Sequence, residues 1–432
     1  MISKWDSGVA SSLIQEIASI NALSQSIVQD EASRVQALNL ARKLVNVLEK
    51  PEDAALQNAM SPSEIVVARI AVDLNLYDLI ADGSGEAKKV GQLAAVTNAD
   101  PRLLTRILRL LDCMGWVKQL DDDSFAPTPI TEAMKGKALQ ACLKHQYVSI
   151  FMFKSLELSA EEVSPSFDIG FRVFEKLPEY FRKFGFQQPS DENSGPFQYA
   201  FNVDQPAFQW WQQDPELSEN FNIFMTGVRG ARPHWVRWFP IRERILNGVS
   251  QDEKDVLLVD IAGGRGHDLH RFIEAFSDVK GRFVLEDLPV VINDYRSANA
   301  RIEPLKHDIL TPQPIHDARV YFLHHVLHDW SDDASIQILS QIAKAMKPNY
   351  SRVILGENVL PSRKCPINKA RLDWAMMALH CGMARTVSQF DILCEKAGLK
   401  LVKYWPPPGD GDGIIEAVLQ GDDLSLLNDS QP

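Results

Sequence analysis

The C-terminal part of the chain alternates between short apolar runs and longer amphipathic stretches. From about residue 255, runs rich in Val, Ile, Leu and Phe are separated by segments with helical spacing. Such a pattern predicts parallel strands buried on both faces and joined by crossover helices. The final two runs, Leu399–Tyr404 and Gly413–Leu419, predict a hairpin that closes the sheet with an antiparallel edge. We therefore predict a doubly wound α/β domain over residues 251–421. The other predicted strands are Val256–Ile261, Gly281–Glu286, Ile302–His307, Ala318–Leu323 and Arg352–Glu357, and the predicted helices are His267–Phe276, Leu288–Ala298, Asp332–Met346, Leu372–His380 and Val387–Ala397.

Residues 61–140 show the element order of a winged helix. A helix begins near Ser61-Pro62, further helices begin near Val90 and cover Arg102–Met114, and two short strands follow at Trp116–Leu120 and Ser124–Pro127. Winged helices often bind DNA, but the predicted hairpin tip is a run of three aspartates, where a DNA-binding wing carries Lys or Arg. We therefore favour dimerisation or core packing over DNA binding for this domain.

The remaining segments are predicted to be mainly helical. Residues 1–60 form a helical extension that packs on a partner subunit or remains a solvated cap, and residues 422–432 form a tail. Residues 141–250 are rich in aromatic side chains, most of which are expected to form a helical core. Some of them, together with residues before the last predicted helix, are candidates for a pocket that takes a flat, apolar substrate. The candidate pocket residues are Phe151, Met225, Trp235, Met376, Met377 and His380.

Composition narrows the class of protein. The chain has 432 residues and a net charge of -12, so it repels phosphate backbones and nucleic acid is an unfavourable partner. Its five cysteines are odd in number and form no CxxC pair, which disfavours a disulfide framework or a structural zinc site. The sequence has no run of about 18 apolar residues that could cross a membrane. We expect a cytoplasmic enzyme that acts on a small molecule.

A glycine-rich loop follows the first predicted strand. The segment Asp260–Gly266 reads DIAGGRG, and glycines there let the backbone pass close to a ligand. A dinucleotide fingerprint has its last glycine where this chain has Leu269, and Asp268 is a poor neighbour for a pyrophosphate. A cationic nucleoside without phosphate, S-adenosylmethionine, fits better. The candidate cofactor residues of this loop are Asp260, Gly263, Gly264 and Gly266.

Acidic residues end the next two predicted strands. Asp287, followed by Leu288, is placed to accept hydrogen bonds from a ribose diol, although it could also be a helix N-cap. Asp308 is placed to accept from an adenine amino group, and Ile309 to cover the adenine ring. The ends of three predicted strands thus carry residues that suit the cofactor. Together they support the cofactor prediction more strongly than any one of them does alone.

Three histidines lie within five residues at the end of the fourth predicted strand. His324 and His328 are four residues apart, but no added Cys or His cluster supports metal ligation, and we predict no metal. His328 is predicted to be a general base, since an imidazole titrates near neutral pH. Glu357 or Asp329 would orient it. The alternative is a structural histidine whose hydrogen bonds are satisfied.

These segments together resemble the S-adenosylmethionine-dependent O-methyltransferases of plant and fungal secondary metabolism. Members of that family combine a winged-helix dimerisation domain with a Rossmann-like methyltransferase domain, and the resemblance covers about residues 61–420. The motifs that carry it are Val259–His267, Asp287–Pro289, His307–Asp308, His328–Asp332, Gly356–Pro361 and Ala397–Leu399.

The resemblance implies roles for individual residues. Gly263, Asp287, Asp308 and Ile309 would hold the cofactor, and His324 lies beside them. His328 would deprotonate a hydroxyl of a small, largely apolar aromatic or polyketide-derived metabolite. It also implies a homodimer.

Two departures from the family pattern keep a second hypothesis open. The family acid that precedes an Arg-Thr pair is Ala384 here, and fungal members often have Arg-Arg at the position of His324-His325. Some fungal members of this fold catalyse dehydration and pericyclic ring closure, using bound S-adenosylmethionine electrostatically without methyl transfer. The retained His328 and Glu357 favour methyl transfer. A third hypothesis is a winged-helix regulator with a ligand-sensing domain, which the acidic wing disfavours.

Overall fold

The computed structural model describes residues 7–23, 30–146, 169–211, 213–214, 217, 234–250, 252–296, 299–363, 365–408 and 411–427. The chain forms two compact units, each built from two stretches of sequence. The first unit comprises Met1–Glu175 and Phe208–Ala231, and the second comprises Lys176–Ala207 and Arg232–Pro432.

The N-terminal extension is helical, as the sequence predicts. It consists of α1 (Ser7–Leu23), α2 (Glu31–Leu48) and α3 (Pro51–Met60). Asp30 caps α2, because its side chain accepts a hydrogen bond from the backbone N–H of Ser33. α3 begins with a proline, whose missing N–H costs nothing in the first turn.

The winged-helix order is present in the first unit. The α7 helix places Leu104, Ile107, Leu108 and Leu111 in the core of this unit. A third strand, which the sequence did not indicate, pairs with the hairpin and gives the order β1-β3-β2. It consists of two lysines, whose side chains give no hydrophobic strand signal. The elements are α4 (Pro62–Asp73), α5 (Leu76–Ile80), β1 (Lys88–Lys89), α6 (Val90–Thr97), α7 (Pro101–Cys113), β2 (Val117–Gln119), β3 (Ser124–Pro127), α8 (Pro129–Met134) and α9 (Lys137–Gln146).

Further helices follow in the part of the chain predicted to be helical. They are α10 (Ile169–Phe184), α11 (Pro196–Phe201) and α12 (Ala207–Trp211), a 3-10 turn at Trp235–Arg237 and a π-helical turn at Arg242–Leu246. Two predicted pocket residues, Phe151 and Met225, lie outside the described residues. Among the helices described, none is both long enough and apolar enough to cross a bilayer.

The second unit is built on the predicted doubly wound sheet. In the described part of the chain, seven strands are ordered β6-β5-β4-β7-β8-β10-β9, and the first five are parallel. The switch in strand order lies between β4 and β7, where such sheets bind ligands. The strands are β4 (Val256–Ile261), β5 (Arg282–Asp287), β6 (Ile302–Lys306), β7 (Val320–His324), β8 (Arg352–Glu357), β9 (Leu399–Trp405) and β10 (Gly413–Leu419).

The predicted hairpin and its antiparallel edge are confirmed, and the structure adds the order of the two strands. β10 runs antiparallel to both neighbours and lies between β8 and β9, so the edge strand is β9. The burial of the two strands explains this order. β10 is buried along nearly its whole length, whereas β9 exposes Lys400 and Lys403, which protect a sheet edge from pairing with other chains.

Two hydrophobic clusters cover the two faces of this sheet. Alternate residues of β7 enter different clusters: Tyr321 and Leu323 join one, and Val320 and Phe322 join the other. Two helix bounds differ from the prediction. The helix α14 (Pro289–Asp294) ends at Asp294, because Tyr295 turns to an extended conformation, and α16 (Ile367–His380) begins directly after Pro366. The helices of this sheet are α13 (His267–Ala275), α14 (Pro289–Asp294), α15 (Asp332–Ala345), α16 (Ile367–His380) and α17 (Val387–Lys396).

Candidate cofactor and catalytic site

The glycine loop turns sharply where β4 ends. Ala262, Gly264 and Gly266 have φ angles of 54°, 61° and 69°, in the left-handed region that favours glycine. The N–H of Gly263 donates to the carbonyl of Glu286 at 3.2 Å, which fastens the loop to β5. The loop then leads directly into α13, whose N-cap is Gly266.

Gly263 is the most closely packed residue of the loop. A Cβ atom there would lie 2.5 Å from the carboxylate of Asp260 and 2.6 Å from the side chain of Leu285. Asp260 is buried in β4, directly beneath the loop. Asp260 therefore supports the loop at Gly263. This closely packed part of the loop, the Gly263 cradle, has no room for a side chain.

Asp287 bridges the ends of β4 and β5. Its Oδ2 accepts a hydrogen bond from the N–H of Gly264 at 2.8 Å, and its Oδ1 accepts from the N–H of Leu288 at 2.7 Å. The N-cap of α14 is Leu288, which is exposed, and not Asp287. The helix-cap alternative for Asp287 is therefore wrong, and its half-buried carboxylate faces the glycine loop.

Asp308 and Ile309 follow β6, on the other side of β5. Asp308 is exposed and accepts a hydrogen bond from the N–H of Leu310 at 3.0 Å. Ile309 is half-buried and packs against one of the core clusters. Glycine loop, Asp287 and Asp308 thus all lie at the carboxyl ends of adjacent strands.

A buried polar group that the sequence analysis missed lies beneath these residues. Glu286 accepts a hydrogen bond from Gln313 at 2.9 Å and is 2.9 Å from Nδ1 of His307. Burial lowers the pKa of His307, but the hydrogen bond and charge of Glu286, with nearby backbone carbonyls, outweigh burial and raise that pKa. His307 also donates its backbone N–H to the carbonyl of Asp287 at 2.9 Å, which joins the ends of β5 and β6.

His328 lies in a 3-10 turn, Leu327–Asp329, directly after β7. Its Nδ1 is 3.0 Å from Oε2 of Glu357, which ends β8. The other oxygen of Glu357 accepts from the N–H groups of Val326 and Leu327 at 3.2 and 2.8 Å. Glu357 therefore fixes both the turn and the orientation of the imidazole.

Buried charges surround this imidazole. Burial lowers the pKa of His328, but Glu357 and Asp329 more than compensate and raise it to about 9. Burial raises the pKa of Asp329 to about 7, against the opposing effect of His328. Burial alone would raise the pKa of Glu357, but the charge and hydrogen bond of His328 lower it overall. Asp329 Oδ1 is 3.6 Å from Nε2 of His328 and 4.0 Å from Nε2 of His380.

A chain of polar contacts begins at His324. Its Nδ1 is 2.9 Å from Oδ2 of Asp268, in the first turn of α13. The other oxygen of Asp268 accepts from the indole N–H of Trp235 at 2.8 Å and is 2.9 Å from Nε2 of His234.

Trp235, one of the predicted pocket residues, lies in the hydrophobic core. Its ring stacks on Phe322 at 4.6 Å and is only 5% exposed, inside a core cluster. A large aromatic ring gains more from burial in the core than from lining an open cavity, and its N–H requires a partner there. Trp235 therefore serves as core and as a support for Asp268.

Asp412, which the sequence analysis missed, lies beside the adjacent histidines. Its Oδ2 is 3.1 Å from Nε2 of His325 and 3.8 Å from Nε2 of His324. Its signal was a short Gly- and Asp-rich segment before β10, which reads as an ordinary turn. Only the pairing of β10 with β8 brings that segment to the end of β7.

The helix α16 supplies the remaining candidate pocket residues. Met376, Met377 and His380 are all buried near its C-terminal end. Ala384 is also buried, and its N–H donates to Asp373 of α16 at 2.8 Å. A carboxylate therefore lies close to the backbone of the position where the resembled family carries its second acid.

Comparisons with known proteins show that the chain is similar to O-methyltransferases. The family model of the O-methyltransferase domain matches residues 182–400. The O-methyltransferase penC of Penicillium thymicola is 35% identical over 406 residues, which cover 93% of this chain and 96% of that protein. A solved structure described as a pericyclic reaction enzyme has 26% identity and a TM-score of 0.79, and covers 96% of this chain and all of its own. The solved structure of LepI in complex with SAM has 27% identity and the same TM-score. The match covers 95% of this chain and 100% of the LepI chain.

Proposed function

Because this chain belongs to the S-adenosylmethionine-dependent O-methyltransferase family, we propose that it methylates a hydroxyl of a small, largely apolar aromatic or polyketide-derived metabolite. The observation that carries this proposal is the contact between Nδ1 of His328 and Glu357. A base whose far nitrogen is held by a buried carboxylate presents its other nitrogen in one tautomer and one direction.

The loop residues fit the cofactor of this family. The Gly263 cradle excludes any side chain, the carboxylate of Asp287 contacts the loop, and Asp308 follows the next strand, β6. In our proposal, Gly264 and Gly266 let the backbone approach the cofactor, Asp287 accepts from ribose, and Asp308 with Ile309 takes the adenine. The bound cofactor supplies an electrophilic methyl group on a sulfonium.

His328 then acts on the substrate hydroxyl. Because its pKa is raised to about 9, His328 would act through its neutral form, whose Nε2 would accept the hydroxyl proton and keep it. The bound cofactor would supply the methyl group, whose bond to sulfur breaks as the bond to the substrate oxygen forms. Glu357 stabilises the resulting imidazolium through Nδ1. Met376, Met377 and His380 line the substrate side of the pocket in this proposal. Holding the reacting atoms together supplies much of the rate, because the sulfonium is already activated.

The test is product analysis with labelled cofactor. We expect methylated product and S-adenosylhomocysteine, and we expect His328→Asn to lose activity by about 100-fold or more while it still binds cofactor. His316→Ala, at an exposed loop histidine, is the matched control and should retain activity. Retained transfer in His328→Asn would reject the base role.

A second candidate function is pericyclic ring closure or dehydration without methyl transfer. Its support is the similarity to a pericyclic reaction enzyme at a TM-score of 0.79, together with Ala384 in place of an acid. In that case, the positive charge of the cofactor and the hydrogen-bond donors of the pocket polarise the substrate. An isomeric or dehydrated product of unmethylated mass, with intact cofactor, would select this function over methyl transfer.

We also propose that the protein is a homodimer, as the family resemblance implies. The exposed apolar side chains of the N-terminal helices, including Val45, Leu48 and Leu56, are consistent with such an interface. Light scattering of the full chain should give twice the chain mass, and a monomer at micromolar concentration would contradict the proposal.

A further inference from the structure

A second cluster of chemistry-bearing side chains lies next to the proposed base. His324, His325 and Asp412 each offer one ligand atom, and these atoms all lie within 4.8 Å of one another. The cluster differs from the pair of His324 and His328, for which the sequence predicts no metal, because His328 is turned towards Glu357.

The spacing of these atoms suits one ion. Ligand bonds of about 2.0–2.1 Å at tetrahedral angles place neighbouring ligand atoms about 3.3–3.4 Å apart. Oδ2 of Asp412 lies 3.1 Å from Nε2 of His325 and 3.8 Å from Nε2 of His324. Both distances differ from that spacing by only a few tenths of an ångström, and no two of the three ligand atoms lie more than 4.8 Å apart.

The backbone places the two histidine rings on one side, which an ordinary strand would not do. Successive side chains of a strand point to opposite faces. His325 has a φ angle of 57°, a left-handed conformation that costs a non-glycine residue about 1 kcal/mol or more. It ends the alternation, and the two ring centroids lie 4.5 Å apart.

The neighbouring strand leaves room for the ring of His324. Gly356, in β8, would place a Cβ atom 2.8 Å from Cδ2 of that ring. A side chain at this position would displace the imidazole from its present place. The left-handed backbone of His325 and the space left by Gly356 therefore favour the same arrangement of the two imidazole rings.

A carboxylate behind His324 has the position of an outer-sphere group. Histidines that bind metals commonly donate their other ring N–H to a carboxylate, which fixes the tautomer and raises ligand basicity. Asp268 lies 2.9 Å from Nδ1 of His324 and is itself held by Trp235 and His234. This contact directs Nε2 of His324 towards Asp412.

We propose that His324, His325 and Asp412 bind a divalent transition-metal ion through Nε2, Nε2 and Oδ2, with Asp268 orienting His324. Two imidazoles and one carboxylate form a donor set that zinc and similar borderline cations accept. The carboxylates of Asp268 and Asp412 carry the two negative charges that balance a divalent ion. The proposal goes beyond the methyltransferase function and does not depend on the role of His328.

The test uses Zn²⁺ alone as the probe on full-length, chelator-treated protein without added cofactor. Equilibrium dialysis with elemental analysis should give about one zinc per chain at micromolar free zinc. We expect His325→Asn and Asp412→Asn to weaken binding by about 100-fold or more, and Asp268→Asn to weaken it by about 10- to 100-fold. Asn is chosen at 325 because it tolerates a left-handed backbone. His316→Ala, in an exposed loop, is the control and should bind as the wild type does.

Two results would overturn the proposal. One is a wild-type protein that binds no stoichiometric zinc at micromolar concentration. The other is an equal affinity in the wild type, His325→Asn and Asp412→Asn. If the variants do not fold, as judged by circular dichroism, Co²⁺ added to the wild type alone decides the matter. Intense visible d–d bands indicate a site of low coordination number, whereas weak bands like those of the hydrated ion reject it.

Discussion

At the residue scale, the cofactor cradle depends on a single missing methyl group. A Cβ atom at Gly263 would lie 2.5 Å from the carboxylate of Asp260, which is buried and has little room to move. We expect Gly263→Ala to weaken binding of S-adenosylmethionine at least tenfold, or about 1.4 kcal/mol, measured by calorimetry. Gly91→Ala is the matched control, because a Cβ atom there meets nothing within 4 Å. Unchanged affinity in Gly263→Ala would show that the loop accommodates a side chain.

The charge of Glu357 can be separated from its hydrogen bonds by one substitution. Glu357→Gln keeps a carbonyl oxygen for the N–H groups of Val326 and Leu327 but removes the charge that stabilises a protonated His328. We expect kcat to fall by about 100-fold while the KM for cofactor stays within about threefold. Steady-state kinetics with the methyl acceptor measure both. A parallel loss of cofactor affinity would indicate that Glu357 acts mainly through the fold.

Residues near one another in sequence were the easier ones to predict. Local composition was enough to identify Asp260–Gly266 and His328, because three glycines or three histidines in a short segment are unusual. Asp268 was noted only as an unsuitable neighbour for a pyrophosphate, yet its carboxylate contacts three side chains. Its importance could not be predicted, because Trp235 and His324 approach it from distant parts of the sequence.

At the element scale, the turn between β7 and α15 is held by Arg385. Its guanidinium is fully buried and donates to the carbonyls of Leu327, Met383 and Trp330, and to the carboxylate of Asp332. Arg385→Met removes the guanidinium donors from these buried carbonyls. We expect it to lower the free energy of unfolding by about 3 kcal/mol, measured by chemical denaturation.

A partner of the same arginine provides the control. Asp332 is largely exposed, so Asp332→Asn should cost less than about 1 kcal/mol and keep the turn intact. Equal losses in Arg385→Met and Asp332→Asn would mean that the ion pair, and not the carbonyl contacts, stabilises the turn.

Element boundaries show the limit of periodicity. The strands Val256–Ile261, Arg352–Glu357 and Gly413–Leu419 were predicted at the bounds observed, because largely buried strands form mainly apolar runs. The position of β10 between β8 and β9 was not predicted, since the pattern of a strand gives its burial but not its neighbours. The two-residue β1 carries no apolar signal at all.

At the scale of the whole molecule, the buried pair of His307 and Glu286 makes stability depend on pH. Burial lowers the pKa of His307, but Glu286 raises it overall above the unfolded value of about 6.5. A raised histidine pKa contributes stability that is fully present below pH 6.5 and is lost as the pH rises through the folded value. We expect the free energy of unfolding to decline over that window, and His307→Gln to flatten the decline. Identical pH profiles in the two proteins would contradict this linkage.

The insertion of β10 has a consequence for when the site comes into being. β10 is translated after every other strand of this sheet, yet it lies between two of them and brings Asp412 to the end of β7. While the chain is still being synthesised, β8 can have no partner on that side, and His324 and His325 have no third ligand. The nascent protein is therefore expected to carry its glycine loop long before it carries a complete polar cluster, which delays the assembly of this region until the last strand has left the ribosome.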